Sequence, residues 1–245
     1  MRKFGLIGYP LGHSFSKKYF TDKFEKLGIT DCNYDLYPIE FPDQLENILA
    51  AERALEGINV TIPHKETIIA LLDELSEEAQ AIGAVNCIKI TNGIKKGYNT
   101  DAFGFHQSIK PFLEPQHDRA LILGTGGASK AVAFILQKIG IDYLFVSREA
   151  KDPSAVSYSQ LNEMAIRQHK FIINTTPLGT YPNLDQSPDI PYEFLTPDHF
   201  VVDLVYNPEQ TLFMQKAAAN GAMTLNGYSM LQQQAEKSWE IWNQA

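Results

Sequence analysis

Apolar residues fall in two rhythms along this 245-residue chain. Unbroken or alternating short runs predict strands, and apolar positions three and four apart predict helices. Phe4 to Gly8 reads as a short buried strand. Tyr19, Phe20, Phe24 and Leu27 then share one face of a helix that ends near Gly28. Asn33 to Ile39 alternates as a strand, and Pro42 opens a helix carrying Leu45, Ile48 and Leu49. Ile58 to Ile62 has the β-branched content of a central strand, whose ladder Pro63 must end. Helices are expected around Thr67–Leu72 and Glu77–Ile82. A strand from Gly83 to Ile90 follows, turned at Asn92-Gly93 into a return strand that runs from Ile94 to Asn99. The next helix is expected over Ala102 to Lys110, with Asp101 as its N-cap on a purely local reading.

Pro111 to Asp118 is polar and proline-bearing, as a domain boundary is. Beyond it the chain reads as strand, glycine turn and helix: Leu121-Ile-Leu-Gly-Thr-Gly-Gly-Ala-Ser-Lys130, with Val132, Ile135, Leu136 and Ile139 on the helix face and Gly140 as its stop. Asp142 to Ser147 is the next strand, and a loop with Pro153 leads to a weak helix near Leu161. Phe171 to Asn174 and Phe200 to Val205 are buried strands separated by a proline-rich loop, Tyr181 to Pro197. A helix from about Gln210 to Ala219, a strand from Ala222 to Leu225 and a final helix from Ser229 to Trp242 complete the order, and the last helix is expected to pack on the first half. Strands alternating with helices in this way define an α/β protein.

Composition adds mainly exclusions. A hydrophobic fraction of 44% with 20% charged residues is ordinary for a soluble α/β chain. A formal net charge of −8, with no basic patch, argues against nucleic acid as a partner. The apolar run after Met1-Arg-Lys is broken by Gly8 and Pro10, so no secretory segment is expected, and no stretch reaches the ~20 apolar residues that span a bilayer. Cys32 and Cys87 stand in unrelated contexts, which fits a reducing cytoplasm without disulfides. The six histidines show no ligand spacing, and no metal site is expected.

Five places carry candidate chemistry. The glycine turn lets a backbone approach a pyrophosphate, whose charge then meets free N–H groups at the helix start. Ser129 occupies the third fingerprint position in place of glycine, and the residues flanking Lys130 exclude a P-loop. Ser14 and Ser16 lie where the first helix begins. One suffices as a cap, and two beside free N–H groups can hold a carboxylate. Lys65 falls at the carboxyl end of a strand, where open α/β sheets place ligands. Asn86 and Asp101, from neighbouring strands of one hairpin, can project into a common space. At the end of the second strand of the glycine-turn unit stands Ser147-Arg148 rather than an acidic residue.

With these residues in view, the chain closely resembles the shikimate dehydrogenase family. The resemblance runs through Gly8-x-Pro-x-x-His-Ser-x-Ser16, Asn59-Val-Thr-Ile-Pro-x-Lys65, Gly83-Ala-Val-Asn86 and Asn99-Thr-Asp101. It continues through Gly124-x-Gly-Gly-Ala-Ser129, Asn174-Thr-Thr-Pro-x-Gly179, Asp203-x-x-Tyr206 and Met230-Leu-x-x-Gln234, all in the family's order. It implies two α/β domains: a substrate domain of residues 1–101 plus 226–245, and a Rossmann-like cofactor domain of residues 102–225, with the active site in a cleft between them. It also implies that Lys65 and Asp101 form the catalytic pair. Ser14, Ser16, Thr61, Asn86, Tyr206 and Gln234 would bind shikimate or 3-dehydroshikimate. Gly124, Gly126, Gly127, Ala128, Arg148, Thr175 and Gly227 would bind the cofactor, NADP, with NAD as the alternative.

The implied reaction is reversible hydride transfer between the nicotinamide and the substrate ketone, in the biosynthesis of chorismate and the aromatic amino acids. A developing alkoxide needs positive charge and a proton, which Lys65 supplies, while Asp101 orients it or shuttles the proton. Departures from the family pattern concern mostly the cofactor: Glu149 follows Arg148, Lys151 is the nearest further base, Asn226 replaces a common Asp, and Thr180 a Met-like residue. The alternatives are a quinate/shikimate dehydrogenase using NAD and a non-catalytic ligand sensor of the same fold. The expected protein is cytoplasmic and either a monomer or a homodimer, with neither membrane nor nucleic acid among its partners.

Overall fold

The computed structural model describes residues 1–12, 15–148 and 155–244. Ser14, Glu149, Lys151 and Pro153, singled out above, lie outside the described residues. The chain divides into two compact units, one of residues 1–100 with 235–245 and the other of residues 101–234.

The first unit is built on a six-stranded mixed sheet. β1 (Arg2–Gly8) and β2 (Cys32–Pro38) pair in parallel, joined by α1 (Phe15–Leu27), and β1 also pairs in parallel with β3 (Leu55–Val60). A 3₁₀ turn at Pro42–Gln44 leads into α2 (Leu45–Ala51) on the β2-to-β3 crossover. β4 (Glu74–Leu75) and α3 (Glu77–Ile82) precede the antiparallel pair β5 (Cys87–Thr91) and β6 (Ile94–Tyr98), and the sheet order is β2-β1-β3-β5-β6-β4. The hairpin turn takes the left-handed backbone that Asn-Gly favours, with φ of 53° at Asn92 and 82° at Gly93.

The second unit begins within α4 (Thr100–Ile109) and ends within α8 (Tyr228–Asn243). Its sheet is six-stranded and parallel throughout: β7 (Arg119–Leu123), β8 (Asp142–Ser147), β9 (Ala155–Ser157), β10 (Phe171–Asn174), β11 (Phe200–Asp203) and β12 (Met223–Asn226). α5 (Gly127–Lys138), α6 (Glu163–Gln168) and α7 (Leu212–Ala219) are the crossovers. The spatial order β12-β11-β10-β7-β8-β9 is, in the unit's own sequence order, 6-5-4-1-2-3, the doubly wound dinucleotide-binding arrangement. Apart from exposed Arg119, the residues of β7, β10 and β11 are buried on both faces, which is why they read as nearly continuous apolar runs.

Each unit has its own core. Leu121, Leu123, Val146, Ile172, Val201 and Phe213 centre the second. In the first, one layer holds Ile7, Val60, Ile58 and Ile88, and the other holds Phe4, Phe20, Tyr34 and the end of α8. Trp242 stacks on Phe4 at 4.9 Å and donates its indole N–H to the Ile88 carbonyl at 3.0 Å. A Cβ on Gly57 would collide with that indole, so only glycine lets Trp242 seat against β3.

Several local expectations need correction. The stretch Gly83–Ile90 is not all strand: Gly83 ends α3 with φ of 70°, and β5 starts only at Cys87. Thr67–Leu71 is a 3₁₀ turn rather than an α-helix. Asp101 is not an N-cap, because α4 already starts at Thr100 and places Asp101 inside the first turn. Asn86 and Asp101 therefore do not come from strands; Asn86 precedes β5 and Asp101 lies in a helix. The strand expected to reach Val205 stops at Asp203, whose side chain takes the Val205 N–H and turns the chain.

Candidate active site

In the second unit, β7 and β10 are neighbours at the point where the strand order reverses, and both deliver their next residues to the carboxyl edge of the sheet. Gly124 follows β7 with φ of 110°, donates its N–H to Val146 at 2.8 Å, and has room for no side chain: a Cβ there would lie 2.7 Å from the Thr175 hydroxyl. Thr175 follows β10, and both its N–H (2.9 Å) and its hydroxyl (2.7 Å) reach the Leu123 carbonyl. Gly126 caps α5, and nothing stands within 4 Å of where its Cβ would be. Gly127 and Ala128 form the first turn of that helix. Ser129 is fully buried, with its hydroxyl 2.6 Å from the Gly126 carbonyl. A tight turn, an open approach and a helix start thus meet at the switch point, a fit for a dinucleotide pyrophosphate.

Arg148 is exposed just beyond β8. Burial pushes the nearby Tyr158 phenol up to about 12, and the positive charge of Arg148 acts on it in the opposite sense. Gly227 is buried, and a Cβ there would collide with the Leu204 carbonyl oxygen, so close backbone packing alone accounts for glycine at that position. Tyr206 is half-buried, and burial raises its phenol above the ordinary range. Gln234 is buried and donates to the Leu231 carbonyl at 3.0 Å. Asp101 is buried in the same unit, one turn before Gly104, where a Cβ would lie 2.6 Å from the Met230 carbonyl of α8.

In the first unit, Thr61 and Lys65 lie in the turn that follows β3. Thr61 donates its N–H to the Ile7 carbonyl at 2.9 Å, and the Lys65 carbonyl accepts from Val85 at 2.7 Å. Between them, buried His64 bonds the Ile39 carbonyl at 2.7 Å and ties this turn to the end of β2. Asn86 is buried, its amide oxygen accepting the Thr100 N–H at 2.6 Å and its amide donating to the Thr100 hydroxyl at 3.0 Å. Ser16 is buried in the first turn of α1, where its hydroxyl bonds the Tyr34 phenol. Burial drives that phenol well above its usual range, and it donates to Asn59 at 2.9 Å. Asn59 in turn donates to Ser238 at 2.9 Å, and Ser238 lies 3.3 Å from the Thr100 hydroxyl.

Sequence reasoning misses this buried polar chain, Ser16–Tyr34–Asn59–Ser238–Thr100–Asn86. Its one signal is a polar Asn59 inside an otherwise apolar strand. The described residues hold no group of three or more His, Cys, Asp or Glu able to bind a metal ion, and no helix long and apolar enough to cross a membrane.

A reversed-order parallel sheet with a glycine turn at its switch point, together with a second α/β unit bearing a lysine in a post-strand turn, defines a two-unit dinucleotide-dependent α/β enzyme. Residues 6–88 match the family model described as the shikimate dehydrogenase substrate binding domain. The chain belongs to the shikimate dehydrogenase family. The NADP(+) shikimate dehydrogenase of Caldanaerobacter subterraneus subsp. tengcongensis is 38% identical to it, over 98% of this chain and 90% of that one. Among solved structures, the shikimate dehydrogenase of Aquifex aeolicus is 34% identical with a TM-score of 0.88, covering 99% of this chain and 92% of that one. Shikimate 5-dehydrogenase from Thermus thermophilus, in complex with NADP(H) and shikimate, is 32% identical with a TM-score of 0.86, covering 99% and 94%.

Proposed function

We propose that this chain catalyses the reversible NADPH-dependent reduction of 3-dehydroshikimate to shikimate, a step toward chorismate and the aromatic amino acids. The observation that carries this reading is kinship to NADP(+) shikimate dehydrogenases along 98% of the chain, and the motifs named above, which follow the family's order, support it. Residues 1–100 with the end of α8 serve as the substrate side, and the parallel sheet of the second unit as the cofactor side.

NADPH, when bound, would supply the hydride, and NADP+ would accept it in the reverse direction. The protein's work is to hold and polarise. Gly124, Gly126, Gly127 and Ala128 hold the pyrophosphate with backbone N–H groups, Arg148 pairs with the 2′-phosphate, and Thr175 and Gly227 complete the cofactor-binding set. A guanidinium suits a phosphate through charge-assisted paired bonds, and no carboxylate stands at Ser147 to demand a free ribose 2′-hydroxyl. Ser14, Ser16 and Tyr206 bind the substrate carboxylate. Thr61, Asn86 and Gln234 bind ring hydroxyls. Lys65 holds its ammonium at the carbonyl oxygen, where negative charge develops, and provides the proton. Asp101 is its partner in the catalytic pair.

Absorbance at 340 nm with purified protein tests the whole reading, using shikimate and quinate against NADP and NAD. Turnover of shikimate with NADP, at the highest kcat/KM of the four pairs, is expected. No turnover of either acid overturns it.

A further inference from the structure

At the carboxyl end of β11 a carboxylate is sealed from solvent, and none of the roles above uses it. Asp203 is 0% exposed, and its hydrogen-bond partners among the described residues are neutral: Asn174 Nδ2 at 2.9 Å, the Thr211 hydroxyl at 2.6 Å and the Val205 N–H at 3.0 Å. Each partner governs a different segment. Asn174 is the register partner of Asp203 across β10 and β11. Its amide oxygen accepts the N–H (3.0 Å) and hydroxyl (2.6 Å) of Thr176, whose own oxygen accepts the Leu178 N–H at 3.3 Å. That side fixes the turn bearing Thr175. The Val205 side fixes the segment that runs into Tyr206, and the Val205 carbonyl also receives the Gly227 N–H at 3.1 Å. Thr211 caps α7 through the Met214 N–H.

We propose that Asp203 is a positioning residue that locks the Thr175 turn and the Tyr206 segment into one arrangement competent to receive the dinucleotide. The inference rests on the reading of Thr175 as a cofactor contact. Its chemistry distinguishes two replacements. Asp203→Asn keeps the carbonyl oxygen that Asn174 and Val205 address, and turns its amide nitrogen to Thr211, whose hydroxyl can accept. Asn174 and Val205 stay satisfied, and only the Thr211 hydroxyl loses its acceptor. Asp203→Ala leaves Asn174 and Val205 without their acceptor and frees both segments.

The test combines amide hydrogen exchange of the protein alone with NADP titration by calorimetry. In Asp203→Ala, exchange at Thr176 and Val205 should quicken by about tenfold or more, and the Kd for NADP should rise about tenfold, whereas Asp203→Asn should restore both. Thr211→Val cuts only the helix-cap arm and should lower Tm with Kd unchanged. Should the alanine variant fail to fold, Asn174→Ala severs the Thr176 arm alone and is read in its place. Unchanged exchange or Kd in the severed variant overturns the proposal, as does a Kd loss in Thr211→Val that matches it. A wild-type protein that does not bind NADP overturns the functional reading instead, and leaves the exchange data to decide the clamp.

Discussion

Two single-methyl additions in the glycine turn should part stability from cofactor binding. Gly124→Ala places a Cβ on a backbone with φ of 110°, 2.7 Å from the Thr175 hydroxyl. Holding an L-residue in such a conformation costs about 1–3 kcal/mol. Displacing the threonine hydroxyl forfeits its 2.7 Å bond to Leu123, about 1 kcal/mol more. The sum, about 2–4 kcal/mol, corresponds to a Tm loss of roughly 5–15 °C for a chain of this size. Gly126→Ala meets neither obstacle: its φ is −83° and its Cβ would have nothing within 4 Å. The change costs only part of an N-cap preference, under ~1 kcal/mol. The methyl does enter the open space at the start of α5, so NADP affinity should fall about tenfold or more in a protein that melts nearly as the wild type does. Thermal melts and calorimetric titration of both variants give the answer. NADP binding by Gly126→Ala equal to the wild type would show that the turn is not the pyrophosphate cradle.

Lys65→Ala should lower kcat by roughly 10²–10⁴ with KM for shikimate within about tenfold, and near-normal steady-state turnover in the folded variant would remove Lys65 from the chemistry. Ser16→Ala should raise KM for shikimate by up to about tenfold; a fall in Tm with KM constant would mean that its bond to Tyr34 is its whole role. Arg148→Ala should lose most of the preference for NADP over NAD in kcat/KM, and an unchanged ratio would assign the 2′-phosphate elsewhere. Burial raises the Asp203 carboxyl from 3.8 to about 6, so protonation favours the folded state. Its contribution is full below the unfolded value and lost as pH rises through about 6. Urea unfolding should therefore show the wild type gaining on the order of 2 kcal/mol over Asp203→Asn between pH 7 and pH 4, and parallel pH curves would refute the shift.

The central strands of the second unit are legible in the sequence because strands buried on both faces read as continuous apolar runs, as residues 171–173 and 200–202 do. β4 and β9 are not legible. With two and three residues they carry no period, and they exist by pairing with Lys96 and Gly97, and with Phe145 to Ser147. The start of α4 escapes the sequence pattern because helical hydrophobicity begins at Ala102, whereas the first turn is made of Thr100 and Asp101. Of the candidate site, the glycine turn follows from local spacing alone, and the turn with Lys65 from the proline that must follow its strand. The Asp203 clamp depends on the register that sets Asn174 beside it, although two equal-length apolar strands each ending in a polar residue hint at that pairing. The Tyr34–Asn59–Ser238 chain joins three remote segments, and its only local sign is the polar Asn59 inside an apolar strand.

Because Trp242 and Ala235 belong with Phe4 and Phe20 in one core, the first unit is discontinuous along the chain. On the ribosome its opening hundred residues emerge long before the helix that completes their packing. The 134 residues from 101 to 234 intervene, a delay of roughly 7–27 s at ordinary translation rates. During that interval the face of β1 and β3 that will receive the indole, including the bare backbone at Gly57, is uncovered. The contiguous second unit can meanwhile close its own parallel sheet. Vectorial synthesis thus favours an order in which the second unit matures first and the first is sealed last.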